Sequence, residues 1–146
     1  MTTTASVYPI SPAEMMKWVL EQYTSRDVVP NIVVGGLSQT EQAEGGVALM
    51  DAGMGEPEKY LPLIRPRMQL RCIAPSLAQV DAITRHVGDA LNQVPPRIAA
   101  YQGSTDEHYL LHFVQVDGGP SSHWDTEETW EGLLFVTTMF STTPIP

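Results

Sequence analysis

Arg67-Met68-Gln69-Leu70-Arg71-Cys72-Ile73-Ala74-Pro75-Ser76 is the stretch from which the fold is read. Met68, Leu70, Cys72 and Ala74 fall on one side of an extended chain, and Arg67, Gln69 and Arg71 on the other, because strand side chains alternate. The spacing predicts a strand over 67–74 with one buried face and one polar, basic face. Pro75-Ser76 breaks the strand and caps a helix. Leu77, Val80, Ile83, Thr84, Val87 and Leu91 recur as the apolar stripe of that helix, from 77 to about 92, and Val94-Pro95-Pro96 stops it.

Working toward the N-terminus, Ala52 to Pro66 holds Gly53, Gly55, Pro57, Pro62 and Pro66 and reads as a long excursion. Val47 to Asp51 and Ile32-Val33-Val34 are short strands, the latter ended by Gly35-Gly36. Ser38 to Gly46 is polar and reads as a loop. Ser11-Pro12-Ala13-Glu14 is a helix start, with Ser11 as cap, Pro12 at the first helical position and Glu14 completing a capping box. Met15, Met16, Val19, Leu20 and Tyr23 carry that helix to about Thr24. Toward the C-terminus, strands are expected at about Tyr109–Val116 and Trp130–Phe140, apolar on both faces and therefore central and covered. An acidic loop containing Gly118-Gly119-Pro120 joins them. The expectation is an α+β fold: a single domain over 12–141, with an arm (1–11) and a tail (142–146). Its sheet is mainly antiparallel and four- to five-stranded, with two helices packed on one face.

Composition bounds the function. The chain has 146 residues, 42% hydrophobic and 17% charged, which is globular rather than disordered. No apolar run approaches the ~18 residues of a membrane span, and nothing in the first residues directs export. Cys72 stands alone, excluding an internal disulfide framework and a multi-cysteine zinc site. A net charge of −9 argues against broad binding to nucleic acid, whose phosphates call for Lys and Arg. The charge is segregated. Tyr60–Arg97 carries Arg65, Arg67, Arg71, Arg85 and Arg97 against Asp81 and Asp89, a net of +3. Beyond Arg97 there is no Lys or Arg, and Asp106, Glu107, Asp117, Asp125, Glu127, Glu128 and Glu131 give −7. Either the two regions neutralise one another within one fold, or the basic side of one copy meets the acidic side of the next.

Catalytic arrangements are weak. Ser122, His123 and Asp125 lie close in sequence, whereas a triad is assembled in space. His108 and His112, with His123 or Asp125, could hold a metal only if the chain bulged, because strand residues four apart lie ~13 Å apart. Cys72 on an apolar face reads as a small core residue. Trp124, between polar flanks, reads as an interface anchor. No catalytic residue, cofactor or metal is expected.

Ile64-Arg65-Pro66-Arg67-Met68-Gln69-Leu70-Arg71-Cys72 followed by Ser76-Leu77-Ala78-Gln79-Val80-Asp81-Ala82 resembles the tail terminator (tail-completion, minor capsid) proteins of long-tailed bacteriophages. So do Val116-Asp117-Gly118-Gly119-Pro120 and Glu131-Gly132-Leu133-Leu134-Phe135-Val136-Thr137-Thr138. The likeness lies in residue type and order, over roughly 12–141. It implies a structural virion protein that forms a ring, usually of six copies. The ring caps the tail tube, ends its polymerisation and offers the head-joining surface. The implied partners are further copies, the tube protein and a neck protein, with DNA passing through unread and no membrane. The implied location is the tail–head junction, after assembly in a host cytoplasm. With the charge segregation, it suggests a subunit interface in which Arg65, Arg67 and Arg71 meet Asp125, Glu127 and Glu128 of a neighbour, Trp124 beside them. The alternatives are a neck or head-completion protein of the same particle, and a small enzyme or ligand-binding domain of similar layout.

Overall fold

The computed structural model describes residues 10–53, 61–124 and 129–146. In chain order the elements are α1 (Pro12–Tyr23), β1 (Asn31–Val34), α2 (Gln39–Glu44), β2 (Gly46–Asp51), β3 (Leu63–Ile64), β4 (Arg67–Ala74), α3 (Leu77–Gln93), β5 (Ile98–Gln102), β6 (Glu107–Trp124) and β7 (Trp130–Pro144). The strands form one sheet ordered β1-β2-β4-β7-β6-β5, with β3 also on β7, and it curls strongly into a half-barrel.

β4 organises the sheet. Its alternation holds: Met68, Leu70 and Cys72 are fully buried, while Arg67 is exposed and Gln69 and Arg71 are half-buried. Register carries that alternation across the sheet, since Met68 opposes Val136, Leu70 opposes Leu134 and, on the other side, Leu49. α1 and α3 cover this face. α1 contributes Met15, Met16, Val19 and Leu20, and α3 contributes Val80, Ile83, Val87 and Leu91. Each such side chain, fully buried, stabilises the fold by about 1.5–3 kcal/mol relative to exposure. A hydrogen bond from the Ser25 N–H to His86 Nε2 (2.9 Å) ties the chain leaving α1 to α3.

The expected four- to five-stranded, mainly antiparallel sheet with two helices is corrected to seven strands, mixed in direction, and three helices among the described residues. The segment read as a loop over 38–46 contains α2. Ser38 caps it, accepting from the Glu41 N–H, and the Glu41 carboxylate accepts from the Ser38 N–H in a full capping box. With no buried residue, α2 has no apolar stripe to announce it. It is the crossover that returns the chain to lay β2 parallel to β1. β5 is a further addition, unannounced because Ile98-Ala99-Ala100 has no polar alternation. β3 lies end to end with β4 against β7. At the break, the Pro66 carbonyl accepts from the Thr138 N–H (3.0 Å) and hydroxyl (3.1 Å).

Two finer expectations change as well. Ser11 makes no side-chain cap on α1. Its N–H donates to the buried Gln102 Oε1 (2.5 Å), and the Glu14 carboxylate accepts from the Ser104 N–H (2.7 Å) and hydroxyl (2.8 Å). Gly118-Gly119-Pro120 are part of β6 rather than a connecting loop. The ladder slips between Gly118↔Phe135 and Ser121↔Leu133, and such a bulge accommodates a proline that has no N–H to give.

Candidate functional site

The face of the sheet turned away from α1 and α3 is only partly covered by the described residues. One corner is closed by Leu37, Ala48 and Ile73, with Val33 against them. Beyond that corner, register sets out what it presents. Met50, Gln69 and Phe135 lie in one row, and Arg71 and Leu133 in the next, which runs into the covered corner at Ala48. Arg67, Thr137 and Gln115 form a third, and Met139 and Phe113 a fourth. Leu133, Phe135, Met139 and Phe113 are half-buried and Met50 is exposed. β7 is apolar on both faces, as the sequence indicates. Its inner residues Leu134, Val136 and Phe140 are buried, while its outer residues Leu133, Phe135, Thr137 and Met139 are half-buried.

Charged groups on this face pair across strands. Arg71 grips Glu131 with both arms of its guanidinium, Nε to Oε1 at 3.0 Å and a terminal nitrogen to Oε2 at 2.5 Å, and the Glu131 side chain is only 5% exposed. Arg67 Nε lies 3.7 Å from Asp117 Oδ2, with both side chains open to solvent. Asp117 also accepts from the Thr137 hydroxyl. The basic and acidic regions therefore meet inside one chain at these two points.

Of the residues expected at an interface, Arg65 is exposed between β3 and β4, and Arg67 and Arg71 lie on the outer face as expected. Trp124 ends β6, opposite Trp130. Asp125, Glu127 and Glu128 lie outside the described residues. The structure adds Phe113, Leu133, Phe135, Met139 and Met50, which the sequence signalled only as apolar strand positions. It also adds Asp117 and Glu131, whose roles follow from pairing across β7.

The other chemistry-bearing residues have local partners. His112 Nε2 lies 2.9 Å from Ser141 Oγ, and His108 stacks at a tilt on Tyr101, with ring centroids 5.0 Å apart. The two histidines thus serve different neighbours. Among the described residues no group of three His, Cys, Asp or Glu side chains is placed to hold a metal ion. Cys72 is buried, and burial pushes its thiol up to about 12, only partly offset by a hydrogen bond with Thr84. The Tyr101 hydroxyl donates to Asp106 Oδ1 (2.8 Å), and that bond raises the phenol above its usual range. Burial, with a hydrogen bond to Glu107, does the same for Tyr109. Among the described residues no helix is long and apolar enough to cross a membrane.

No protein-family model matches the sequence, and no curated protein matches it. One solved structure, whose name carries no functional description, is similar at 10% identity with a TM-score of 0.40, the match covering 90% of this chain and 96% of that one.

Proposed function

We propose that this chain is a structural protein of a long-tailed phage particle, forming a ring that caps the tail tube and offers the surface to which the head joins. The observation that carries the reading is the open outer face of the sheet. On that face Phe113, Leu133, Phe135 and Met139 are half-buried and Met50 is exposed, which leaves apolar area to bury against another chain. The resemblance of the 64–82 and 116–138 segments to tail terminators gives that contact its biological setting. In such a ring Arg65, Arg67 and Arg71 form the basic side toward Asp125, Glu127 and Glu128 of a neighbour, with Trp124 beside them, and within the chain Arg71 is also held by Glu131 and Arg67 lies near Asp117. Heterologous contacts of this kind close into rings when the rotation permits.

Electron microscopy of particles made with this gene disrupted tests the proposal. Overlong tails lying free beside filled heads are expected. Tails of normal length without heads would move the protein to the neck, and unaltered particles would overturn the reading.

A further inference from the structure

Away from the open sheet face, α1 and the β5–β6 turn enclose an open cleft of about 190 Å³, lined by Glu14, Lys17, Trp18, Glu21, Tyr101 and Gly103. Residues 14, 17, 18 and 21 follow the helical spacing that places them on one face of α1. Trp18 and Tyr101 are both half-buried, and Trp18 packs against the hydrophobic core. The polar parts are fixed in advance. Ser104 holds the Glu14 carboxylate through two hydrogen bonds, and Asp106 holds the Tyr101 hydroxyl. His108 backs the Tyr101 ring.

Two carboxylates, Glu14 and Glu21, thus line the cleft with the two aromatic residues, a third, Asp106, sits on the Tyr101 hydroxyl, and the ammonium of Lys17 stands against them. The Tyr101 phenol is raised mainly by its hydrogen bond to Asp106, to which the charges of Asp106 and Glu14 add. Aromatic faces in a negative field attract a cation. A planar, weakly hydrated guanidinium can stack on such a face while its edge meets a carboxylate, which a compact ammonium does less well. Because the walls are already positioned, little ordering opposes binding.

We infer that this cleft receives the guanidinium of an arginine side chain from a protein partner. The inference stands on geometry separate from the open sheet face and holds whether or not the chain forms rings. The test is a titration of the isotope-labelled protein with N-acetyl-arginine methylamide, followed by NMR at the Trp18 indole N–H. The citrulline and lysine analogues serve as controls. A saturable shift with the arginine compound is expected, at millimolar affinity, and none with citrulline, which has the same shape without charge. Tyr101→Leu is expected to weaken binding about two- to five-fold, the usual range for an exposed cation–π contact. Glu21→Gln, at an exposed position that leaves the fold intact, is expected to weaken it about two-fold. Absence of a saturable shift, an equal response to citrulline, tighter binding of lysine than arginine, or affinity unchanged in Glu21→Gln would each overturn the inference.

Discussion

Arg71 and Glu131 sit diagonally across β4 and β7, joined by two parallel hydrogen bonds, with the carboxylate almost entirely out of water. Removing the guanidinium alone takes two charge-assisted hydrogen bonds from a carboxylate that water barely reaches. Arg71→Met should therefore cost about 2–4 kcal/mol in urea unfolding. The double variant Arg71→Met/Glu131→Leu, which removes both charges, should recover most of that loss.

Arg67 and Asp117 offer the contrast. Their separation is longer and solvent screens both groups. Arg67→Ala should shift stability by no more than about 0.5 kcal/mol, with a weak dependence on salt. A loss comparable with that of Arg71→Met would mean that Arg67 is buried by something this fold does not supply.

Cys72 sets an alkaline limit. Its thiol ionises near 9.0 when unfolded and near 12 when folded, so above the lower value the unfolded chain has released a proton that the native chain retains. Stability then falls as pH rises from about 9 toward 12 and does not depend on this group below that window. Cys72→Ala should flatten that part of the profile while adding a small cavity cost at neutral pH. The thiol should resist alkylation at pH 8 until urea is added.

Gly46 is where β2 first meets β1. A Cβ there would fall 2.6 Å from the Asn31 carbonyl oxygen and 2.8 Å from the Asn31 Cβ, in the register pair that starts the parallel ladder. Neither atom can yield without moving strand backbone. Gly46→Ala should cost about 1–3 kcal/mol, with amide exchange accelerating first in Asn31–Val34.

Phe135 lies at the middle of the open face, in line with Met50 and Gln69. Phe135→Glu should leave the thermal midpoint within a few degrees while abolishing rings in negative-stain images. Rings that persist would place the subunit contact elsewhere.

Much of this architecture is legible where one face of an element is strongly apolar. Alternation marks β4 from Arg67 to Cys72, and the stripe of Val80, Ile83, Val87 and Leu91 marks α3. The parts that escape lack that contrast. α2 buries nothing, β5 opens on Ile-Ala-Ala, and the Gly-Gly-Pro of β6 carries turn chemistry inside a bulged strand. Strand order is also beyond reach, because the α2 crossover that makes β1 and β2 parallel is itself invisible. At the candidate site, Arg67 and Arg71 can be placed on the outer face. Their partners Asp117 and Glu131 cannot, since both depend on which strand lies beside which.

The position of β7 has a consequence for how the protein is made. β4 pairs along its whole length with β7, from Arg67↔Thr137 to Ala74↔Trp130, yet α3, β5 and β6 are all translated between them. A nascent chain therefore emerges from the ribosome with β4 joined to β2 on one edge and open on the other, its apolar side waiting for a neighbour not yet synthesised. Contacts so distant in sequence form slowly, and an unpaired strand edge invites the wrong partner meanwhile. Arg67 and Arg71, charged and facing outward along that waiting edge, are well placed to discourage premature pairing between growing chains.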